Sequence, residues 1–253
     1  MTSAPLEAVI FDWGGTLTPW HQVDLGAQWR VFARSIHGLP LDSADIPVED
    51  LDQAQQLADR LMAAERDAWR RGRDEGRTSA RIEALLEEAG ADPRSDRYHL
   101  ALAAYQRFWE PHTYTDPQVR PLWEGLHERG LKVGVLSNTI WRRDYHRDIF
   151  ERDGVLDLLD GDVYSSELQV VKPHADAFDA ICEVLGVTPQ AAVYVGDRLF
   201  EDVLGPQDVG MRAIWVPHSD LPAEQHVAVD VTPDAVVEEL LDVLDVVDSW
   251  QGR

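Results

Sequence analysis

The chain predicts an α/β fold: a doubly wound parallel sheet carrying an all-helical insert. Two observations carry this expectation. Short apolar, β-forming runs alternate with helical stripes, and one long stretch between the first two runs holds helical stripes alone.

The first run is residues 6–12, Leu-Glu-Ala-Val-Ile-Phe-Asp, broken by Gly14 and Gly15. It reads as a buried strand ending in a tight turn. Four similar runs follow at 131–136, 161–165, 191–195 and 212–216, and a weaker fifth at 227–231. Between them lie helical patterns. In 174–185, Phe178, Ile181, Cys182 and Leu185 share one face, with Pro173 before them and Gly186 after. In 233–247 the stripe is Val236, Val237, Leu240, Leu241 and Leu244. A helix around 119–126 leads from the insert into the second strand.

The insert itself carries four stripes. They are Leu25, Trp29, Phe32 and Ile36; Leu57, Leu61, Ala64 and Ala68; Ile82, Leu85, Leu86 and Ala89; and Tyr98, Leu102, Tyr105 and Trp109. Thr78 is a candidate N-cap for the third, with Gly90 past its end. Residues 19–113 are therefore expected to form a helical unit. Residues 1–18 and 114–253 form the α/β core, with hinges at 18–20 and 111–117.

Composition narrows the class. The chain has 253 residues, 44% hydrophobic, enough for a sizeable core. No apolar run approaches the roughly 20 residues of a membrane span. Residues 1–15 lack the basic and apolar regions of a signal peptide. The single cysteine, Cys182, allows no internal disulfide. A soluble, cytoplasmic protein is expected. A net charge of −23 disfavours nucleic acid and anionic membranes as partners. An anionic substrate then calls for a local cationic device, which a divalent metal would supply. The chain has 21 arginines but only two lysines, Lys132 and Lys172, so a lysine-dependent mechanism has few candidates.

In an open parallel sheet, ligands bind beyond the carboxyl ends of the strands. The residues there are Asp12-Trp13-Gly14-Gly15-Thr16-Leu17-Thr18, Ser137-Asn138-Thr139 and Gly196-Asp197-Arg198-Leu199-Phe200-Glu201-Asp202. Lys172-Pro173 precedes a helix. In this order, the set resembles the haloacid dehalogenase-like (HAD) hydrolase superfamily. Its motifs are Asp-x-Asp-Gly-Thr, a Ser or Thr after an apolar strand, a Lys often followed by Pro, and Gly-Asp-x(3–4)-Asp. The resemblance covers essentially the whole chain. It implies a Rossmann-like core with a helical cap between the first two motifs.

The resemblance also implies roles, and phosphoryl-transfer chemistry fits them. Asp12 is the nucleophile, forming an aspartyl-phosphate, and its second oxygen binds Mg²⁺. Thr16, Ser137 and the amides near Gly14 and Gly15 hold phosphate oxygens, with Asn138 shaping the phosphate loop. Lys172 neutralises Asp12 and the phosphate. Asp197 and the Gly14 carbonyl complete the Mg²⁺ ligands. Asp202 orients a metal-bound water. The expected partner is a small phosphorylated metabolite.

One departure stands out. The family's phosphatases carry a second Asp two residues after the nucleophile, as general acid and base. Here that position is Gly14. Phosphonoacetaldehyde hydrolases also have a small residue there but need a cap lysine, and residues 19–113 contain none. Haloacid dehalogenases have Tyr there and lack the acidic fourth motif, whereas Asp197 and Asp202 are present. A Mg²⁺-dependent phosphatase is the leading expectation. A weakened or non-hydrolytic binding protein is the alternative. Arg70, Arg71 and Arg73 read as a solvated face, Glu201 as solvated or peripheral to the site, and Trp13 as a contact for substrate or cap.

Overall fold

The computed structural model describes residues 5–19, 23–41, 46–75, 81–217 and 227–252. Thr78 lies outside them. Six parallel strands form one sheet in the order β3-β2-β1-β4-β5-β6. They are β1 (Ala8–Phe11), β2 (Lys132–Ser137), β3 (Gly161–Tyr164), β4 (Ala192–Gly196), β5 (Arg212–Trp215) and β6 (Ala235–Val236). The chain fills one side of β1 and then returns to the other. The switch point therefore falls between β1 and β4, where ligands are expected.

Both faces of the sheet are covered, which is why its central strands are apolar throughout. Val9, Phe11, Val133, Val135, Val193 and Val195 face one layer. There they meet α5 (Val119–Glu128), α6 (Arg143–Arg152) and α9 (Val243–Gln251) through Trp123, Phe150 and Val247. Ala8, Ile10, Ala192 and Tyr194 face the other layer, against α7 (Ala175–Leu185). Gly134 makes that contact possible, because a β-carbon there would stand 2.8 Å from Leu185 Cδ1. His174 caps α7 and left-handed Gly186 ends it.

Two expectations fail at the C-terminal edge. Residues 227–231 form no strand, and the helix read over 233–247 does not begin until Val243. The open edge of β5 competes for this backbone. Asp234 N–H donates to Ala213 O at 2.9 Å, and its carboxylate accepts from Ala213 N–H at 2.9 Å. Val237 N–H donates to Trp215 O. The segment is thereby drawn out as β6 before it can coil.

Between β1 and β2 the described elements are helical: α1 (Leu25–His37), α2 (Val48–Glu75), α3 (Ile82–Glu88) and α4 (Tyr98–Trp109). The stripes, from Trp29 through Trp109, form a core of their own, separate from the two layers at the sheet. Arg81, not Thr78, stands at the N-cap position of α3. Within this core Glu65 accepts from Trp29 Nε1 at 2.7 Å and Gln28 Nε2 at 3.3 Å. Burial pushes the Glu65 carboxyl up. Arg70 and Arg71 pair loosely with Asp67 and Glu88. The two connections to the sheet are bound together, since Asp116 N–H donates to Leu17 O at 2.8 Å. No described helix is long and apolar enough to cross a membrane.

The loop after β2 belongs to both units. Ile140 and Trp141 are buried in the helical core. Trp141 stacks on Tyr145 at 4.3 Å and lies 4.8 Å from Tyr105. Ile82 N–H donates to Ile140 O, and Arg142 pairs with Glu83 at 2.6 Å. Trp141→Ala is expected to cost about 3–5 kcal/mol of stability, measured by urea denaturation. It should also speed proteolytic cleavage within the helical unit. A loss below 1 kcal/mol would show that Trp141 does not fasten the two units.

Candidate active site

Three strand ends converge at the switch point. Asp12 follows β1, Ser137 ends β2 and Asp197 follows β4, on adjacent strands. A π-helical turn, Leu199–Leu204, leaves Asp197 and carries Asp202 back beneath it. Lys172 arrives from the loop before α7. All five residues are at most 5% exposed.

Lys172 Nζ has three donors, and three partners surround it. It donates to Asp12 Oδ1 at 2.9 Å, Asp202 Oδ1 at 2.7 Å and the Tyr194 hydroxyl at 2.7 Å. Tyr194 in turn donates to Leu136 O at 2.6 Å. Asp12, Asp197 and Asp202 each place a carboxylate oxygen within 4.8 Å of the others. Burial pushes the Asp202 carboxyl up, and the Asp12 and Asp197 charges add to the effect while Lys172 opposes it. Burial alone would push the Lys172 ammonium down, but Asp12 and Asp202 outweigh it and hold it charged. Arg198 is likewise held charged against burial by Asp197 and Glu201. The cluster thus concentrates negative charge that Lys172 and Arg198 share.

Local sequence explains this placement. Gly15 has φ +90°, a turn open to glycine, and its N–H donates to Thr18 O at 2.8 Å. The Gly15 amide closes the turn that follows Asp12. Gly196 is required by packing, because a β-carbon there would lie 2.4 Å from Asp202 Cγ. Thr16 is fully buried, with its hydroxyl 3.5 Å from Asp197 Oδ1. Asn138 reaches the loop that carries Lys172. Its Oδ1 accepts from Lys172 N–H at 2.9 Å and its Nδ2 donates to Lys172 O at 3.1 Å. Both ends of the carboxamide are committed to the lysine backbone, so Asn138 positions Lys172.

Comparison with known proteins agrees with this arrangement. A family model described as haloacid dehalogenase-like hydrolase matches residues 6–210. The chain belongs to the haloacid dehalogenase-like hydrolase family. It is 31% identical over 163 residues to the glyceraldehyde 3-phosphate phosphatase of Methanopyrus kandleri, covering 64% of this chain and 69% of that one. Its fold is similar to a HAD phosphatase from Thermococcus onnurineus, with a TM-score of 0.62, 22% identity and coverage of 95% and 97%. It is also similar to a 2-haloacid dehalogenase from Pseudomonas syringae pv. Tomato DC3000, with a TM-score of 0.63, 24% identity and coverage of 97% and 99%. At these identities the two structures speak for the fold alone.

Around the HAD motifs lie residues that sequence reasoning missed. Tyr194 reads as one more apolar residue of a buried strand. Its signal was the hydroxyl, since a buried tyrosine needs a partner. His146 is fully buried behind Trp13, meeting it edge-on at 4.5 Å and stacking on Tyr164 at 4.2 Å. From Trp13 a run of aromatic rings passes through His146, Tyr145, Trp141 and Tyr105 to Trp29. The residue beside Asp12 is in this way coupled to the core of the helical unit.

Two expectations follow. Gly196→Ala is expected to lower the hydrolytic rate about 10²-fold by displacing Asp202 from Lys172, with the circular dichroism spectrum unchanged. A folded variant at the wild-type rate would contradict it. Burial pushes the His146 imidazole down to about 3 from an ordinary 6.5. Unfolding therefore takes up a proton between those values, and stability present above pH 6.5 is lost as pH falls toward 3. Between pH 6.5 and 4.5 that loss is about 2–3 kcal/mol. Urea midpoints should fall less on acidification in His146→Leu than in wild type, and equal slopes would refute the assignment.

Proposed function

We propose that this protein is a Mg²⁺-dependent phosphatase of small phosphorylated metabolites, acting through an aspartyl-phosphate on Asp12. The observation that carries this reading is the buried Lys172 bonded to both Asp12 and Asp202, with Asp197 beside them. The named phosphatase among its relatives supports the same reading.

The donor set fits the ion. Asp12, Asp197 and Asp202 offer hard carboxylate oxygens in one buried group, as Mg²⁺ prefers. Asp12, Asp197 and the Gly14 carbonyl would hold it, and Asp202 would orient its water. When bound, the ion would neutralise phosphate oxygens as charge spreads over them. The chain supplies the remainder. Lys172 holds one Asp12 oxygen and fixes the carboxylate for in-line attack on phosphorus. Ser137 and Thr16 hold phosphate oxygens at the ends of β2 and β1. Residues 19–113, acting as a cap over residues 1–18 and 114–253, exclude water and select the substrate.

Gly14 favours a second reading, a binding protein that keeps the site without turnover. Phosphate release from a metabolite panel separates the two. Release is expected with Mg²⁺, and it should fall at least 10³-fold with EDTA or in Asp12→Asn. Release that survives Asp12→Asn would defeat the nucleophile assignment. Tight binding of phosphorylated compounds without release would favour the second reading.

A further inference from the structure

Gly14 differs from its neighbours in having no structural reason to be glycine. Its φ is not left-handed, whereas that of Gly15 is. Among the described residues, nothing lies within 4 Å of where its β-carbon would stand. A β-carbon, the start of any side chain, therefore meets no obstacle there. The position two residues after Asp12 is therefore open to a side chain and carries no acid.

The described groups around Asp12 do not take its place. All three Lys172 protons are committed to Asp12, Asp202 and Tyr194, and the Tyr194 proton goes to Leu136 O. Asp202 accepts from Lys172 Nζ at one oxygen and from Arg198 N–H at the other, so both its oxygens are engaged. His146 is fully buried behind Trp13 and cannot touch a substrate. Among the described residues, a leaving oxygen here departs without a positioned proton. That is tolerable only when the departing anion is weakly basic, because general-acid assistance matters most for strongly basic leaving groups.

We propose that the site is selective for phosphoryl compounds with weakly basic leaving groups: acyl phosphates, phosphoanhydrides, and enol or aryl phosphates. Alkyl phosphate monoesters are poor substrates. This rests on the aspartyl-phosphate reading above. An Asp12 oxygen attacks phosphorus, and the bond from phosphorus to the leaving oxygen breaks. The electron pair goes to that oxygen, which departs as an anion. Water then attacks the phosphorus of the aspartyl-phosphate. The carboxylate leaves with its electron pair, and the water's surplus proton passes to solvent. The second step is common to all substrates, so the leaving group is felt in kcat/KM and not in the limiting kcat.

The test is a leaving-group series assayed with Mg²⁺: acetyl phosphate, substituted phenyl phosphates and glycerol phosphate. Wild-type kcat/KM should rise steeply with the acidity of the leaving group. Gly14→Asp should flatten the series by raising the least activated members about 10²–10⁴-fold relative to the most activated. Gly14→Asn, similar in shape but unable to protonate, should keep the slope steep. A flat wild-type series that still depends on Asp12 overturns this inference and leaves the phosphatase reading standing. That result would also follow if Glu201 or another carboxyl served as the acid. A steep wild-type series supports the inference even if Gly14→Asp fails to fold. Failure of Asp12-dependent release from every member, acetyl phosphate included, defeats the phosphatase reading itself.

Discussion

One buried ammonium group organises the catalytic end of this molecule. Lys172 Nζ spends its three protons on Asp12, Asp202 and the Tyr194 hydroxyl. Each partner comes from a different element, so the bonds tie β1, β4, the π-helical turn and the loop before α7 at one point. Removing one member of such a buried charged group leaves the others uncompensated, which costs several kcal/mol. The arrangement is therefore strongly specified. It is also short of positive charge, since burial and neighbouring carboxylates both push Asp202 up.

Much of the surrounding structure serves to hold that lysine in place. Asn138 grips its backbone at both N–H and C=O. Gly196 leaves the space that Asp202 occupies. Tyr194 passes the constraint across the sheet to Leu136 O on β2. On the other side of the site, the aromatic run from Trp13 to Trp29 links the neighbour of Asp12 to the helical core. The Ile140–Trp141 loop follows Ser137 almost directly, so the carboxyl end of β2 and the helical unit are mechanically joined.

Much of this was legible in the sequence, for identifiable reasons. Asp12, Ser137 and Asp197 follow short apolar runs, and strand ends in a parallel sheet are where ligands bind. The helical stripes of residues 25–109 were read from spacing alone, and they pack as that spacing demands. Other features were not legible. Asn138 acts on a backbone 34 residues away, and nothing local marks that pairing. Tyr194 hides in a run of strand residues. Residues 233–247 carry a sound helical stripe, yet the open edge of β5 claims the first part of it. Local periodicity cannot register competition from a distant strand edge.

The most direct test of the central claim, that Lys172 presents Asp12 as the attacking group, is the site of phosphorylation. The protein should be mixed with acetyl phosphate and Mg²⁺, quenched in acid within one turnover, digested and examined by mass spectrometry. The expected result is a phosphoryl adduct on Asp12, strongly reduced in Lys172→Met although that variant remains folded. A phosphoryl group on any other residue, or turnover in the absence of an adduct on Asp12, would contradict it.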